Sequence, residues 1–253
     1  MECPVCGAGP VKVLSERDGV KEIKCPCCRY TGEAADKPIA PVRQGVSSGE
    51  AVFEKNENAV IAFRAAAGGA QWSGSGFLID RAGGYALTNA HVALGGDGQA
   101  PDAMSALIAG ENVPARVVCA GDMRTGADLA VVQLERLPAR AADSRLGDSD
   151  GLKNGAAVFV IGNSKGEGTR ISGGFVGDKG RVIDGAVRIL TDAAVNPGNS
   201  GGPMYDAEGR AVGVVVSKRN EAEAMGYAIP INFAKDFIRA AERKMGIGIR
   251  FRE

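Results

Sequence analysis

Residues 189–215 read ILTDAAVNPGNSGGPMYDAEGRAVGVV, and this stretch shows the pattern from which the fold class can be predicted. Apolar runs at both ends flank turns rich in Gly and Asn, and one serine, Ser200, stands among glycines. Short apolar runs between turn residues predict β-strands joined by hairpins. The loop NPGNSGGP (196–203) has three explanations: a plain turn, a nest of backbone amides that binds an anion, or a loop that holds one hydroxyl for chemistry.

The same pattern continues along most of the chain, between about residue 59 and residue 231. The runs recur every ten to twenty residues: GFLID, GYALTNA, ARVVCAG, LAVVQL, AAVFVIG, VRILTDA, AVGVVV and GYAIP. Because no helical period joins them, they predict an all-β sandwich or barrel. A less apolar stretch at 139–150 divides the runs into two groups. We therefore expect two barrels in series, at roughly 50–138 and 150–231.

Helices are expected at the two edges of this β region. Residues 50–58 predict a short helix, with Ser48 as the candidate N-cap, that runs into a strand at 59–64. At 232–245, apolar side chains recur at helical spacing, with Asn232 as N-cap and Gly246 as terminator.

Composition excludes several classes of function. The chain has 253 residues, 45% of them hydrophobic, and its 30 basic side chains balance its 30 acidic ones. The first 34 residues are balanced too, with five of each, so we expect no nucleic-acid partner. No apolar run approaches the roughly 18 residues that cross a bilayer, and the N-terminus does not resemble a signal peptide. We expect a cytoplasmic protein without a membrane partner.

Five of the six cysteines lie in the first 28 residues, which marks a separate N-terminal domain. Cys3, Cys6, Cys25 and Cys28 form two C-x₂-C pairs, a spacing that suits one structural zinc ion. The intervening sequence predicts a β-hairpin turning at RDG (17–19), and the whole resembles a zinc ribbon. We expect a ribbon at 1–34, a linker at 35–49, and a protein partner for the ribbon. Alternatives are disulfides, free thiols, or a redox sensor that uses Cys25, Cys28 and the extra Cys27.

Two further residues are candidates for chemistry. His91, in YALTNAHVA, is the single histidine, and it follows a strand beside small residues. Asp128 opens the apolar run in GADLAVVQL. Each also has a structural explanation, since a lone histidine can be incidental and an aspartate often precedes a strand as a turn residue.

Taken together, these pieces resemble the trypsin/chymotrypsin-like serine proteases, and more closely their HtrA/Deg branch. The matching segments are GSGFLID, YALTNAHV, ADLAVVQL, RLGDSDGLKNGAAVFVIGNS, residues 189–215 and GYAIP, in the family's order. The resemblance covers roughly residues 50–245, and we expect the protease domain at 50–246. It implies two six-stranded antiparallel β-barrels with a C-terminal helix, and it implies a serine endopeptidase that acts on polypeptides.

The resemblance also implies roles for individual residues. Ser200 is the nucleophile, His91 is the general base and then acid, and Asp128 orients the imidazole. Backbone amides of Gly198, Ser200 and Asn199 form the oxyanion hole, and no cofactor takes part in catalysis.

Specificity follows from the residue six positions before the serine, which lies at the base of the substrate pocket in this family. Here it is Ala194, not an acid, so we expect no preference for Lys or Arg. A small apolar pocket that favours Val, Ala or Leu is expected, lined by Ala194, Val195, Val215, Val216 and Ser217. We also expect the strand at 215–217 to pair with extended or unfolded substrate.

Other features depart from the HtrA/Deg pattern. The sequence leaves no room after the C-terminal helix for a PDZ domain, so we expect none, and a zinc ribbon stands where targeting sequence would be. Cys119 is the single cysteine of the protease region, which fits a reducing compartment. The alternative to an active protease is a latent or non-catalytic scaffold that acts through its ribbon.

Overall fold

The computed structural model describes residues 12–17, 20–24, 31–35, 48–96, 98–163, 168–183, 185–216 and 225–253. The chain divides into two compact units, Met1–Gly45 and Val46–Glu253. The division falls inside the segment 35–49 that the sequence predicts to be a linker.

The first unit contains a three-stranded antiparallel sheet in the order β1-β2-β3. Its strands are β1 (Lys12–Arg17), β2 (Val20–Lys24) and β3 (Thr31–Ala35). Arg17 pairs with Val20, so β1 and β2 form the hairpin predicted to turn at residues 17–19.

The first half of the second unit is a closed barrel in the order β4-β5-β6-β9-β8-β7. Its strands are β4 (Val60–Ala67), β5 (Ala70–Asp80), β6 (Tyr85–Thr88), β7 (Ala103–Ile108), β8 (Glu111–Ala120) and β9 (Ala130–Leu134). Phe63, Leu78 and Ile108 are almost fully buried inside it. Because the sheet is closed, this barrel has no edge strand.

The second half is another closed barrel, in the order β10-β11-β12-β15-β14-β13. Its strands are β10 (Ala157–Gly162), β11 (Arg170–Ile183), β12 (Ala186–Thr191), β13 (Pro203–Asp206), β14 (Ala211–Val216) and β15 (Gly226–Pro230). The two six-stranded antiparallel barrels confirm the predicted fold.

Three α-helices accompany the barrels in the described part of the chain. Helix α1 (Gly49–Asn56) begins as predicted, because the Ser48 hydroxyl accepts a hydrogen bond from the Ala51 amide at 3.2 Å. Helix α2 (Ala90–Leu94) was not predicted, since five residues are too few to show a helical period. Helix α3 (Ile231–Met245) ends at Gly246 as predicted.

The expected N-cap of α3 is wrong by two residues. The helix is preceded by Pro230, and Asn232 lies in its first turn. The Asn232 side chain donates to Asp148 Oδ1 at 2.7 Å, and its backbone amide donates to Ser149 Oγ at 3.2 Å. The side chain therefore ties the helix to the segment between the barrels and does not cap it.

A shared hydrophobic core joins the barrels. Phe77 and Leu87 of the first barrel, Tyr205 and Val214 of the second, and Ile238 of α3 belong to one buried cluster. Burying a large apolar side chain contributes about 1.5–3 kcal/mol, so this cluster holds the two barrels together as one body. No helix among the described residues is long and apolar enough to span a membrane.

Candidate active site

Strand pairing brings His91 and Asp128 together. Strands β6 and β9 are antiparallel neighbours, and Thr88 pairs with Ala130. The residues that follow Thr88 therefore lie across from those that precede Ala130. His91 sits in α2, directly after β6, while Asp128 comes two residues before β9 begins.

The two side chains are joined by a short hydrogen bond. His91 Nδ1 and Asp128 Oδ2 lie 2.7 Å apart, and the other carboxylate oxygen accepts the His91 backbone N–H at 3.0 Å. Because an ionised carboxylate can only accept, Nδ1 carries the proton and Nε2 of a neutral ring is left as an acceptor. The imidazole is 34% exposed and the carboxylate 13% exposed, so the ring edge is accessible while the acid is shielded.

Neighbouring groups hold this pair in place. The buried Asn89 side chain donates to the backbone carbonyl of Asp128 at 2.8 Å. Trp72, the single tryptophan, donates its indole N–H to the Val92 carbonyl at 2.9 Å and lies against Gly95 at the end of α2. The helix that carries His91 is therefore fixed at both ends.

Ser200 lies in the loop between β12 and β13, which is shaped by tight turns. The Asn199 amide donates to the Asn196 carbonyl at 3.0 Å, and the Gly202 amide donates to the Asn199 carbonyl at 2.9 Å. Gly198 and Gly201 have φ angles of +97° and +83°, a region that side chains with a Cβ rarely adopt. These glycines let the chain reverse twice within a few residues.

The serine loop is docked on the first barrel. Ser75 of β5 donates its amide to the Ser200 carbonyl at 2.7 Å. A Cβ at Gly201 would collide with Thr88 Oγ1 and with the Ser75 carbonyl, and it would lie 3.0 Å from the Asn89 amide. The backbone beside Ser200 thus touches the strand end that leads to His91. Ser200 itself is 7% exposed.

One predicted oxyanion donor has another partner. The Asn199 amide already donates to the Asn196 carbonyl, so it is committed to the turn and is not available to a substrate oxygen. Gly198 and Ser200 are the predicted donors that remain.

Ala194 and Val195, which are predicted to line the substrate pocket, directly precede the serine loop. Ala194 is exposed and Val195 is half-buried. The Ala194 carbonyl accepts a hydrogen bond from the Ser172 hydroxyl at 2.8 Å. A Cβ at Gly226 would collide with the Val195 side chain, so valine fills the space beside that glycine.

Val215, in the predicted strand 215–217, does not line the substrate pocket with its side chain as expected. The Val215 side chain is fully buried in the core of the second barrel, so it offers a substrate no contact, which corrects the predicted pocket lining. Its backbone instead accepts from the Gly201 amide and donates to the Gly202 carbonyl, both at 2.8 Å, and so supports the serine loop. Val216 is partly exposed, and Ser217 lies outside the described residues.

The four predicted zinc ligands, Cys3, Cys6, Cys25 and Cys28, also lie outside the described residues. Within the described ranges, no group of three or more His, Cys, Asp or Glu side chains is arranged to hold a metal ion. Cys119 is a half-buried free thiol. Burial raises its pKa, against a lowering by a hydrogen bond from the Val131 backbone and by the charge of Lys244.

Sequence reasoning missed Ser75 and Asn89 as members of the site. Both are fully buried polar residues in motifs otherwise recognised, GSGFLID and YALTNAHV. A serine among apolar neighbours on a strand, and an asparagine two residues before the single histidine, were the available signals. Neither signal indicates which groups these side chains bind, because their hydrogen-bond partners lie in distant parts of the chain.

Comparison with known proteins identifies the family of this chain. Residues 74–214 match the family described as trypsin-like peptidase domain. A putative serine protease, HhoB of Synechocystis sp., is 37% identical over 175 residues, which are 66% of this chain and 39% of that protein. A probable periplasmic serine endoprotease, DegP-like, of Halomonas elongata is 34% identical over 169 residues, 64% of this chain and 34% of that protein.

Solved structures give the same result. The HtrA-type protease AlgW with tripeptide superposes with a TM-score of 0.68 and 30% identity, over 78% of this chain and 65% of that one. This chain spans well under half the length of HhoB and of the DegP-like protein. The family match covers more than half of the 253 residues. The chain therefore belongs to the family of trypsin-like peptidase domains, with HtrA-type and DegP-like serine proteases among its relatives.

Proposed function

We propose that this chain is a serine endopeptidase in which Ser200, His91 and Asp128 form the catalytic triad. The observation that carries the proposal is the 2.7 Å hydrogen bond between His91 and Asp128, on the barrel to which the Ser200 loop is docked. Membership of the trypsin-like family supports the same chemistry.

In the proposed mechanism, the Ser200 hydroxyl attacks the peptide carbonyl and His91 Nε2 takes its proton. Asp128 keeps the imidazole in the required tautomer and stabilises the imidazolium. The Gly198 and Ser200 amides stabilise the oxyanion, a contribution of about 10²–10³ in rate for each donor. His91 then protonates the leaving amine, and water hydrolyses the acyl-enzyme.

A fluorophosphonate probe tests this proposal directly, because it reacts with a serine that is activated beside a formed oxyanion hole. The purified chain is labelled beside Ser200→Ala and His91→Ala variants, and the adduct is located by peptide mass spectrometry. Labelling at Ser200 that both variants abolish supports the proposal. No labelling of the wild-type chain would favour the alternative, a latent or non-catalytic scaffold.

We further propose that the pocket accepts small apolar residues before the cut and that the substrates are extended or unfolded polypeptides. The residues at this position support this, since the Val195 side chain occupies the space beside Gly226 and Ala194 is not an acid. A survey of cleavage sites in a denatured protein should show Val, Ala or Leu before most cuts. A majority of cuts after Lys or Arg would refute the pocket assignment.

For the N-terminal unit we propose one structural zinc ion held by Cys3, Cys6, Cys25 and Cys28, in a ribbon that docks a protein partner. The β1–β2 hairpin supports this, because Lys12 pairs with Lys24 and the chain segments that carry the two cysteine pairs therefore leave the same end of the hairpin. Elemental analysis should find one tightly held zinc per chain. No zinc together with a reducible disulfide would instead support a redox role. A cytoplasmic location stays a prediction.

A further inference from the structure

The hydroxyl of Ser75 connects two loops of the second barrel from a position on the first. Ser75 lies on β5 and is fully buried. Its Oγ donates to the Gly198 carbonyl at 2.6 Å and accepts from the Asn163 amide at 2.8 Å. Asn163 directly follows β10, and Gly198 lies two residues before Ser200.

The direction of both hydrogen bonds is fixed by chemistry. A serine hydroxyl has one proton to donate and lone pairs to accept with. The backbone N–H of Asn163 can only donate, so its hydrogen bond must go to a lone pair of the Ser75 Oγ. The Gly198 carbonyl can only accept, so it must receive the single hydroxyl proton. The hydroxyl therefore holds the Gly198 carbonyl in one orientation.

The Gly198 carbonyl belongs to the peptide unit that links Gly198 to Asn199. This peptide unit also carries the Asn199 amide, which is bound to the Asn196 carbonyl. Both polar groups of this peptide unit are therefore hydrogen-bonded: the carbonyl to the Ser75 hydroxyl and the amide to the Asn196 carbonyl of the turn. Rotation of this unit would change ψ of Gly198 and φ of Asn199, and Gly198 resists it little because it has no Cβ.

The backbone of Ser75 adds two more contacts. Its amide donates to the Ser200 carbonyl, and its carbonyl accepts from the Thr88 hydroxyl at 2.6 Å, three residues before His91. A Cβ at Gly202 would lie 3.1 Å from the Ser75 Cβ, so the serine loop packs directly on this residue. Ser75 is therefore in contact with the histidine side and the serine side of the site.

We propose that Ser75 is a positioning residue for the oxyanion hole: its hydroxyl holds the Gly198–Asn199 peptide so that the Gly198 and Ser200 amides converge. This inference rests on the proposed function and extends it to a residue that touches neither substrate nor the reacting atoms. Removing the hydroxyl leaves the Gly198 carbonyl and the Asn163 amide without this partner while the His91–Asp128 pair is untouched.

The test compares Ser75→Ala with Ser144→Ala. Ser144 is an equally buried serine whose hydroxyl bonds the Tyr205 hydroxyl at 2.6 Å instead of a group of the serine loop. Hydrogen–deuterium exchange of the segment 196–202 reports on the loop without any need for activity. We expect the amides of this segment to exchange faster in Ser75→Ala than in the wild-type chain. In Ser144→Ala they should exchange at the wild-type rate. Equal exchange in both variants would overturn the inference.

Kinetics supply a readout that a merely structural role would not move. In Ser75→Ala, kcat should fall by about 10²-fold at unchanged KM, because the misplaced amides serve the transition state. The affinity for a peptide boronate, which forms a tetrahedral adduct, should fall by the same factor as kcat/KM. A rise in KM with unchanged kcat would contradict the proposed role.

The two proposals fail in different ways. If the wild-type chain does not react with the fluorophosphonate probe, the proposed function fails, and exchange in 196–202 still decides whether Ser75 holds the loop. If the wild-type chain reacts and Ser75→Ala reacts at the same rate, the positioning role fails alone. Ser75→Cys, whose thiol fills the position but donates weakly, replaces the alanine variant if that variant does not fold.

Discussion

Asp128 binds His91 twice: one carboxylate oxygen bonds the imidazole Nδ1 at 2.7 Å and the other bonds the backbone N–H of the same residue at 3.0 Å. The carboxylate therefore sets the position of the ring as well as its tautomer. An asparagine at this position has only one side-chain oxygen, so it could accept from only one of the two His91 N–H groups. Its NH₂ group would face the other N–H group, and two donors cannot form a hydrogen bond.

Replacing Asp128 by Asn should lower kcat by about 10⁴-fold, because the imidazole then takes the wrong tautomer to accept the serine proton. Casein hydrolysis measures the loss, and circular dichroism checks that the fold remains. Asp122→Asn is the matched control, since Asp122 is exposed and bonds Arg124. Activity of Asp128→Asn within tenfold of wild type would contradict the assignment.

Gly201→Ala should abolish labelling of Ser200 and destabilise the fold, because its Cβ would collide with Thr88 Oγ1 and the Ser75 carbonyl. Gly155→Ala is the control that distinguishes the effect of this collision from the effect of backbone strain. Gly155 has nearly the same φ, +84° against +83°, but a Cβ there meets nothing within 4 Å. The control should lose about 1–2 kcal/mol of stability and keep its activity. Denaturant unfolding and probe labelling measure both effects, and equal losses in the two variants would refute the explanation.

Trp72→Phe removes the hydrogen bond to the Val92 carbonyl and keeps an aromatic side chain at this position, with a smaller contact to Gly95. We expect a loss of about 1 kcal/mol in unfolding free energy. Because α2 carries His91, kcat should fall as well, by about tenfold. Tyr205→Phe, which removes a buried hydrogen bond to Ser144, should cost stability without this loss of kcat. If both variants leave kcat unchanged, Trp72 serves packing alone.

Cys119 should react slowly with iodoacetamide. Burial raises its pKa, so at pH 8 less of the thiol is present as the reactive thiolate than in the unfolded chain. The rate should therefore rise with pH over a higher range in the folded protein than in the denatured one. Peptide mass spectrometry of the alkylated Cys119 peptide follows this, and Lys244→Ala should slow the reaction further. Equal rates in folded and denatured protein would contradict the prediction.

The sequence predicted the barrels because their strands are local patterns. Runs such as LAVVQL and AVGVVV alternate with Gly and Asn turns, and each strand can be recognised within its own few residues. His91, Asp128 and Ser200 were predictable because each stands in a recognisable motif, and the strand pairing of β6 with β9 then accounts for the contact between the first two.

What could not be predicted depends on contacts between distant residues. The Ser75 hydroxyl bonds groups that lie 123 and 88 residues away in the chain, so no local pattern reveals its partners. Asn199 was expected to donate to an oxyanion, but the turn takes its amide, and Val215 was expected to line a pocket, but its side chain belongs to the barrel core. Both corrections require the three-dimensional path of the loop.

The docking of the serine loop on the first barrel also has a consequence for synthesis on the ribosome. His91 and Asp128 emerge early, whereas Ser200 follows His91 after roughly a hundred residues, or about 10 s at ordinary rates of translation. Until the second barrel has closed and met Ser75, the nascent chain has a histidine–aspartate pair without a nucleophile. Under the proposed function, proteolytic capacity would then appear only after the second barrel has closed, which spares the growing polypeptide and its neighbours on the polysome from earlier cleavage.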